Sequence, residues 1–193
     1  VITKQDIRKS AARTIDDLLR QVPGFSMFRR SSTLVSNPAS QGVSLRGISP
    51  SATSRTLVLL DGVPLNDAFG GWVSWGKVPL ESIERIEVTR GGGSGVYGNY
   101  ALGGVINVVT KRPEAGFAQG KLDLGTRNTV DADLLASHVI GPWAASLEGN
   151  FFRTDGFKII REDQRGAVDI EADSIHETFN GRVEYRPAPD SSF

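Results

Sequence analysis

The chain has no cysteine. Disulfide frameworks, thiolate metal sites and cysteine nucleophiles are therefore excluded, and the redox compartment stays open. No apolar run approaches the ~20 residues that a membrane helix needs, and Val1 opens without the charged and apolar regions of an export signal. Membrane β-strands escape that exclusion, because their signal is alternation over ~10-residue segments. Charge of one sign is also lacking: 22 basic and 22 acidic residues give a net charge of zero, so a polyanion-binding surface and a nucleic-acid partner are not indicated. There is no G-x-S-x-G elbow and no H-E-x-x-H. The two histidines, His138 and His176, stand alone in separate segments, where surface or lumen positions suit them better than metal ligation. A non-enzymatic protein with no cofactor and no metal is expected.

Glycine is what the chain has in quantity, 22 in 193 residues. The stretch RGGGSGVYGNYALGG holds Gly93, Gly95 and Gly98 in the spacing G-x-G-x-x-G, directly after the strand-like IERIEVT. A dinucleotide site needs a long helix after those glycines, so that the pyrophosphate meets its N-terminus. Here Gly103 and Gly104 allow about one helical turn before VINVVT resumes as a strand. No acidic residue follows at the required place, and no Gly-Lys-Ser/Thr completes a P-loop. A phosphate cradle is rejected, and the glycines need another reason.

The two halves of the chain follow different patterns. In the first, Thr3 and Asp6 form a capping-box-like start to KQDIRKS, and Thr14 is placed to cap TIDDLLRQV, whose Ile15, Leu18, Leu19 and Val22 share one face before Pro23 and Gly24 end the helix. Strands are expected over 42–46, 56–60, 85–89 and 105–110, separated by loops rich in Gly, Pro, Ser and Asn. The sum is a small α+β domain.

From Gly116 the segments lengthen and alternate. FAQGKLDLGT, WAASLEGNF and TFNGRVEYR each put small, aliphatic or aromatic residues on one face and polar ones on the other, and TVDADLLASHVI does so less cleanly. Four antiparallel strands are expected, with a tight turn at Gly141 and Pro142 and a long acidic loop over 155–177. A soluble meander with one wet face satisfies the alternation as well as a membrane barrel does.

Three segments of the first half, TIDDLLRQVPGF, VSLRGISPSATSRTLVLLDGVPLN and VPLESIERIEVTRGGGSGVYGNYALGGVINVVTKR, together resemble the plug domain of TonB-dependent outer-membrane receptors. Within the last of them Glu87, Arg90, Gly91, Ser94, Tyr97, Gly98, Ala101, Gly103, Gly104, Asn107, Thr110 and Lys111 fall on the family's pattern. Gly92 stands where many members carry proline.

The resemblance implies an α+β plug domain with a small mixed sheet over 1–112. Residues 113–193 would then be about the first four antiparallel strands of a transmembrane β-barrel. Since such a barrel normally has 22 strands, the chain is expected to be a fragment with on the order of 400 further residues beyond it. Outward residues such as Leu122, Leu147 and Val183 would face lipid. The whole receptor would take up a scarce, bulky nutrient, such as a ferric siderophore or cobalamin, in the outer membrane of a Gram-negative-type bacterium. Its partners would be the substrate, outer-membrane lipid and the inner-membrane TonB complex, reached through an N-terminal segment absent here. A soluble periplasmic or surface binding module is the alternative.

Site residues follow from the same resemblance. In the family the arginines of the two Arg-Gly motifs, Arg46 and Arg90 here, pair with barrel-wall carboxylates and lock the plug; pairing inside the plug, with Glu87 or Asp61, is the competing arrangement. Gly47, Asp61, Gly62, Glu87, Gly91, Ser94, Tyr97, Gly98, Gly103 and Gly104 are expected to be structural, with Ser94 and Tyr97 capping or bridging loop backbone. Strand alternation puts loops 26–41 and 65–75 at one end, which makes Arg29, Arg30, Asn66, Asp67, Phe69, Trp72 and Trp75 the candidates for ligand contact: arginines for an anionic chelate, rings for flat apolar surface, Asn66 and Asp67 for polar groups. Plug packing explains the three rings equally well.

Overall fold

The computed structural model describes residues 1–28, 32–36, 41–47 and 54–187. They form two compact units, Val1–Thr110 and Lys111–Phe193.

In the first unit β1 (Ile2–Thr3) leads into helix α1 (Lys4–Lys9), where Thr3 and Asp6 close a reciprocal capping box. Helix α2 (Ile15–Leu19) is shorter than its apolar spacing predicts. Its last turn tightens into i to i+3 bonds, Gln21 N to Leu18 O and Val22 N to Leu19 O, because Pro23 disfavours helical backbone at the residue before it. Thr14 sits at the N-cap, but its hydroxyl caps nothing.

The chain then enters β2 (Phe25–Met27), which pairs with β3 (Val43–Leu45). The main sheet takes β4 (Thr56–Leu60), β5 (Val63–Pro64), β6 (Ile83–Arg90) and β7 (Gly104–Thr110) in the order β1-β6-β7-β4-β5, with β4 and β7 parallel and the other pairs antiparallel. Central strands covered on both faces explain the unbroken apolar run TLVLL. Val58, Ile106 and Val108 join Ile15, Leu18, Leu19, Leu45 and Trp75 in the main core, whereas Leu57, Leu59 and Val105 meet Ala101 on the other face.

The second unit is an antiparallel meander ordered β11-β10-β9-β8, made of β8 (Phe117–Gly125), β9 (Thr129–Ile140), β10 (Trp143–Thr154) and β11 (Ser174–Tyr185). Three of the strands run 12 residues. The last begins at Ser174, taking in the last four residues of the expected loop, because Ile175 and Glu177 continue the outward alternation and Thr154 to Ser174 extends the β10 register. Polar residues occupy the better-shielded face: Asp131 and Glu184 are buried, and Asn150 Nδ2 donates to Asp131 at 2.9 Å and to Asp133 at 2.8 Å. Leu122, Leu134, Leu147, Phe179 and Val183 on the other face are all more than half exposed. A soluble sandwich would bury that apolar face instead. At the short-turn end Trp143 and Tyr185 meet with ring centroids 4.8 Å apart, the position of an interfacial aromatic girdle. His138 lies exposed on the apolar face. His176 faces the polar side, bonded to Ser174 and stacked on Phe152.

Candidate functional site

The two Arg-Gly turns come together in the first unit. Arg46 leaves β3 in the left-handed region at φ 62°, followed by Gly47 at φ 68°. That conformation is uncommon for a side chain other than glycine, asparagine or aspartate. It is held by a backbone bond from Arg46 N–H to Gly24 O at 2.8 Å. The Arg46 side chain extends to Gly91, where a Cβ would stand 3.3 Å from its Nη1. Gly91, at φ 100°, is the residue after Arg90, and its N–H donates to Gly103 O. Glycine is needed still more firmly at Gly104, where φ is 141° and a Cβ would come within 2.3 Å of Thr89 O.

Both guanidinium groups are exposed and make no hydrogen bond or ion pair among the described residues. The carboxylates that might have satisfied them within the plug are engaged elsewhere. Glu87 accepts from Arg85 Nε at 2.7 Å and Asn107 Nδ2 at 3.1 Å, which holds its carboxyl below the usual range. Asp61, with Gly62 in the turn between β4 and β5, accepts from Thr110 N at 2.8 Å and Thr110 Oγ1 at 2.6 Å, fastening the end of β7.

The remaining glycine-loop residues surround a short helix, α3 (Ser94–Tyr97), with Gly98 at φ 74° as its C-cap. Neither Ser94 nor Tyr97 caps the loop as expected. The helix starts from Gly93 with no side-chain cap bond, the Ser94 carbonyl accepts from Gly98 N–H, and the Tyr97 ring is about half exposed. With two glycines bracketing a single turn, backbone bonds are satisfied without a side-chain cap. Gly103 is buried between Thr56 and the Leu45 carbonyl.

Loop 65–75 divides its candidates. Asn66 is consumed by backbone: its Oδ1 accepts from Val58 N at 2.7 Å, and Nδ2 donates to Thr56 O and Gly71 O, both at 3.2 Å. Asp67 Oδ1 accepts from Phe69 N and Gly70 N in a local turn. Asn66 has no polar group left to orient a ligand, whereas Asp67 Oδ2 makes no hydrogen bond among the described residues. Trp75 is 1% exposed and belongs to the core, whereas Phe69 is 97% exposed and Trp72 half-buried with its ring over Gly70. Sequence alternation had no way to separate these three rings, because the irregular loop has no period. Arg29 and Arg30 lie outside the described residues.

Sequence reasoning missed Asp16. It is fully buried on the first turn of α2, beside the buried Thr14 and Thr33. An acidic residue in a first turn ordinarily signals nothing beyond the helix dipole.

The comparisons with known proteins converge. Residues 1–105 match the family model of the TonB-dependent receptor plug domain. The vitamin B12 transporter BtuB of Vibrio vulnificus (strain CMCP6) is 33% identical over 163 residues, covering 82% of this chain and 25% of its own length. Among solved structures, the ferric enterobactin receptor PfeA of Pseudomonas aeruginosa shares the fold at a TM-score of 0.68 and 24% identity, covering 99% of this chain and 31% of its own. The ferric citrate transporter FecA does so at 0.71 and 23%, covering 97% and 28%. The chain thus spans about a quarter of the curated relative it matches. The plug-domain model matches more than half of the chain, and this chain belongs to the TonB-dependent receptors of the bacterial outer membrane.

Proposed function

We propose that the chain is the gate and first wall of an active importer, with residues 1–112 as the plug domain and 113–193 as about the first four barrel strands. The whole receptor binds a scarce, bulky nutrient of the ferric siderophore or cobalamin type at the outer face. The TonB complex of the inner membrane then pulls the plug through a segment preceding Val1. The single observation that carries this reading is the pairing of a plug fold with strands whose apolar residues point outward and whose acids and amides are shielded. The names of the relatives support both substrate classes and decide between neither.

Arg46 and Arg90 serve as the lock. The two guanidinium groups, without partners among the described residues, are poised for bidentate carboxylate partners on the barrel wall, and breaking such a buried pair costs about 3–5 kcal/mol. On the ligand side, Phe69 and Trp72 supply the apolar contact of loop 65–75, because Trp75 is buried in the core. The full-length receptor should bind one member of a panel of ferric siderophores and corrinoids, with affinity reduced by Phe69→Ala. Binding none of the panel would overturn the substrate reading. Arg46→Ala and Arg90→Ala should each make cells more permeable to bulky antibiotics while ligand affinity holds. A structure of the intact receptor with both arginines bonded only inside the plug would remove the lock.

A further inference from the structure

Six buried side-chain atoms of the first unit find no hydrogen-bond partner among the described residues: Asp16 Oδ1 and Oδ2, Thr14 Oγ1, Thr33 Oγ1, Gln41 Oε1 and Trp75 Nε1. Two of them belong to Asp16. Its side chain is 0% exposed, Arg20 Nη2 stands 4.0 Å away, and the hydroxyls of Thr14 and Thr33 lie beside the carboxyl without reaching full hydrogen-bond geometry. Thr33 comes from the 3-10 turn Thr33–Val35, within loop 26–41, and that turn packs on the 3-10 turn Trp75–Lys77 at the end of loop 65–75. Gln41 links the two loops, with its side-chain Nε2 donating to Ser36 O and its backbone carbonyl accepting from Val73 N–H. One acid on α2 is therefore joined, residue by residue, to both loops assigned above to ligand contact.

The chemistry of that joint favours a neutral acid. An ionised carboxylate only accepts, and here no backbone N–H reaches it. A carboxylic acid both donates and accepts, and two hydroxyls that do the same can close a complete set with it. We propose that Asp16 is a positioning residue for the ligand surface: held as a neutral acid, it draws Thr33 onto α2 and so fixes the turns Thr33–Val35 and Trp75–Lys77, and ionisation releases them. This rests on the reading of loops 26–41 and 65–75 as the ligand surface. Burial pushes the Asp16 carboxyl above its usual range, the Thr14 and Thr33 hydroxyls oppose that rise, Asp17 adds to it and Arg20 offsets it. Among the described residues the charged groups near it are thus Asp17 of its own helix and Arg20 at that helix's C-cap. The turn Thr33–Val35 contributes no titratable side chain, and the turn Trp75–Lys77 carries only the exposed Lys77. Because the folded value is raised, the stabilisation is present at low pH and is lost as pH rises through that value.

The test uses the full-length receptor without ligand, with a single cysteine replacing Leu34 and its alkylation rate divided by that of a cysteine at the exposed Ser26, which cancels thiol ionisation. From about pH 5 to pH 9 the normalised rate should rise several-fold in the parent, stay low throughout in Asp16→Asn and stay high throughout in Asp16→Ala. Thr33→Val, which keeps the shape and removes the hydroxyl, should be fast already at the low end and lose the step. A flat parent profile, Asp16→Asn behaving as Asp16→Ala, or Thr33→Val retaining the step would each overturn the inference. Ligand affinity is measured separately: an intact pH step with an unchanged affinity would sink the ligand-loop assignment and leave the Asp16 joint standing.

Discussion

The two units expose opposite kinds of residue with the same alternating grammar. In the first, Val58, Ile86, Ile106 and Val108 have no exposure, while the charged ends Arg46 and Arg90 stand in the open. In the second, Asp131 and Glu184 are shielded, Glu184 between Arg182 Nε at 2.7 Å and Arg186 just beyond the strand's end, while Leu147, Phe179 and Val183 are exposed. Water as solvent drives apolar surface inward; hydrocarbon as solvent removes that drive and makes an unpaired polar group the costly one. The same pleat therefore reports which solvent each unit is built for.

The largest effect that sharpens this contrast lies inside loop 65–75, where two aromatic residues six positions apart have opposite fates. Trp75→Ala should destabilise the first unit by about 3–5 kcal/mol, the range for emptying a filled aromatic site. Phe69→Ala should stay within about 0.5 kcal/mol, because its ring touches little. Hydrogen exchange of β4 and β7 amides in the full receptor reads both. Equal costs would mean that the loop packs differently from the arrangement described.

The next effect probes the second unit from outside. Leu147 lies mid-strand on the apolar face, opposite Ala136 and Gly181. Leu147→Arg should cost about 2–4 kcal/mol in a bilayer, the range for a cation at midplane depth on a barrel's lipid face. In a water-facing meander the same change would be nearly neutral. Folding equilibria in lipid vesicles therefore separate the two solvents directly. An effect near zero would break the comparison between the units.

Much of this architecture was legible because it is local. A capping box spans four residues, alternation shows within a strand, and the Asp61-Gly62 pair prescribes its own turn, observed with φ of 49° and 84°. What the sequence hid was decided at a distance. Phe25–Met27 is too short to announce a strand and becomes one only by meeting Val43–Leu45. Arg46 has no intrinsic preference for left-handed backbone; Gly24 O holds it there. Asn66 looks like a free polar handle until the backbone of β4 claims its amide. The arginine pair was readable as motif, whereas its lack of a partner required knowing where Glu87 and Asp61 spend their oxygens. The acidic run over 155–173 masked the start of β11 for a related reason: charge marks a loop, but Ser174, Ile175 and His176 already follow the strand's period.

The smallest effect compares two carboxylates within the first unit that respond to pH in opposite senses. Glu87 is held below its ordinary value of 4.5 mainly by Arg85, then by Asn107, with burial opposing. Its contribution is fully present above the ordinary value and is lost as pH falls through the folded one. Asp16 works in the other direction, losing its contribution as pH rises. Because the Glu87 side chain is 38% exposed, water screens its ion pair and the stability at stake is small. Between about pH 6 and pH 3 the unfolding midpoint of the first unit should fall slightly more in the parent than in Glu87→Gln, which keeps the amide contact to β7 and cannot titrate. Asp6, also lowered by its capping contacts, titrates equally in both proteins and cancels in the difference. Identical slopes would show that the Arg85 and Asn107 contacts hold geometry without adding stability. That would leave Asp61, through Thr110, as the carboxylate that ties β7 in place.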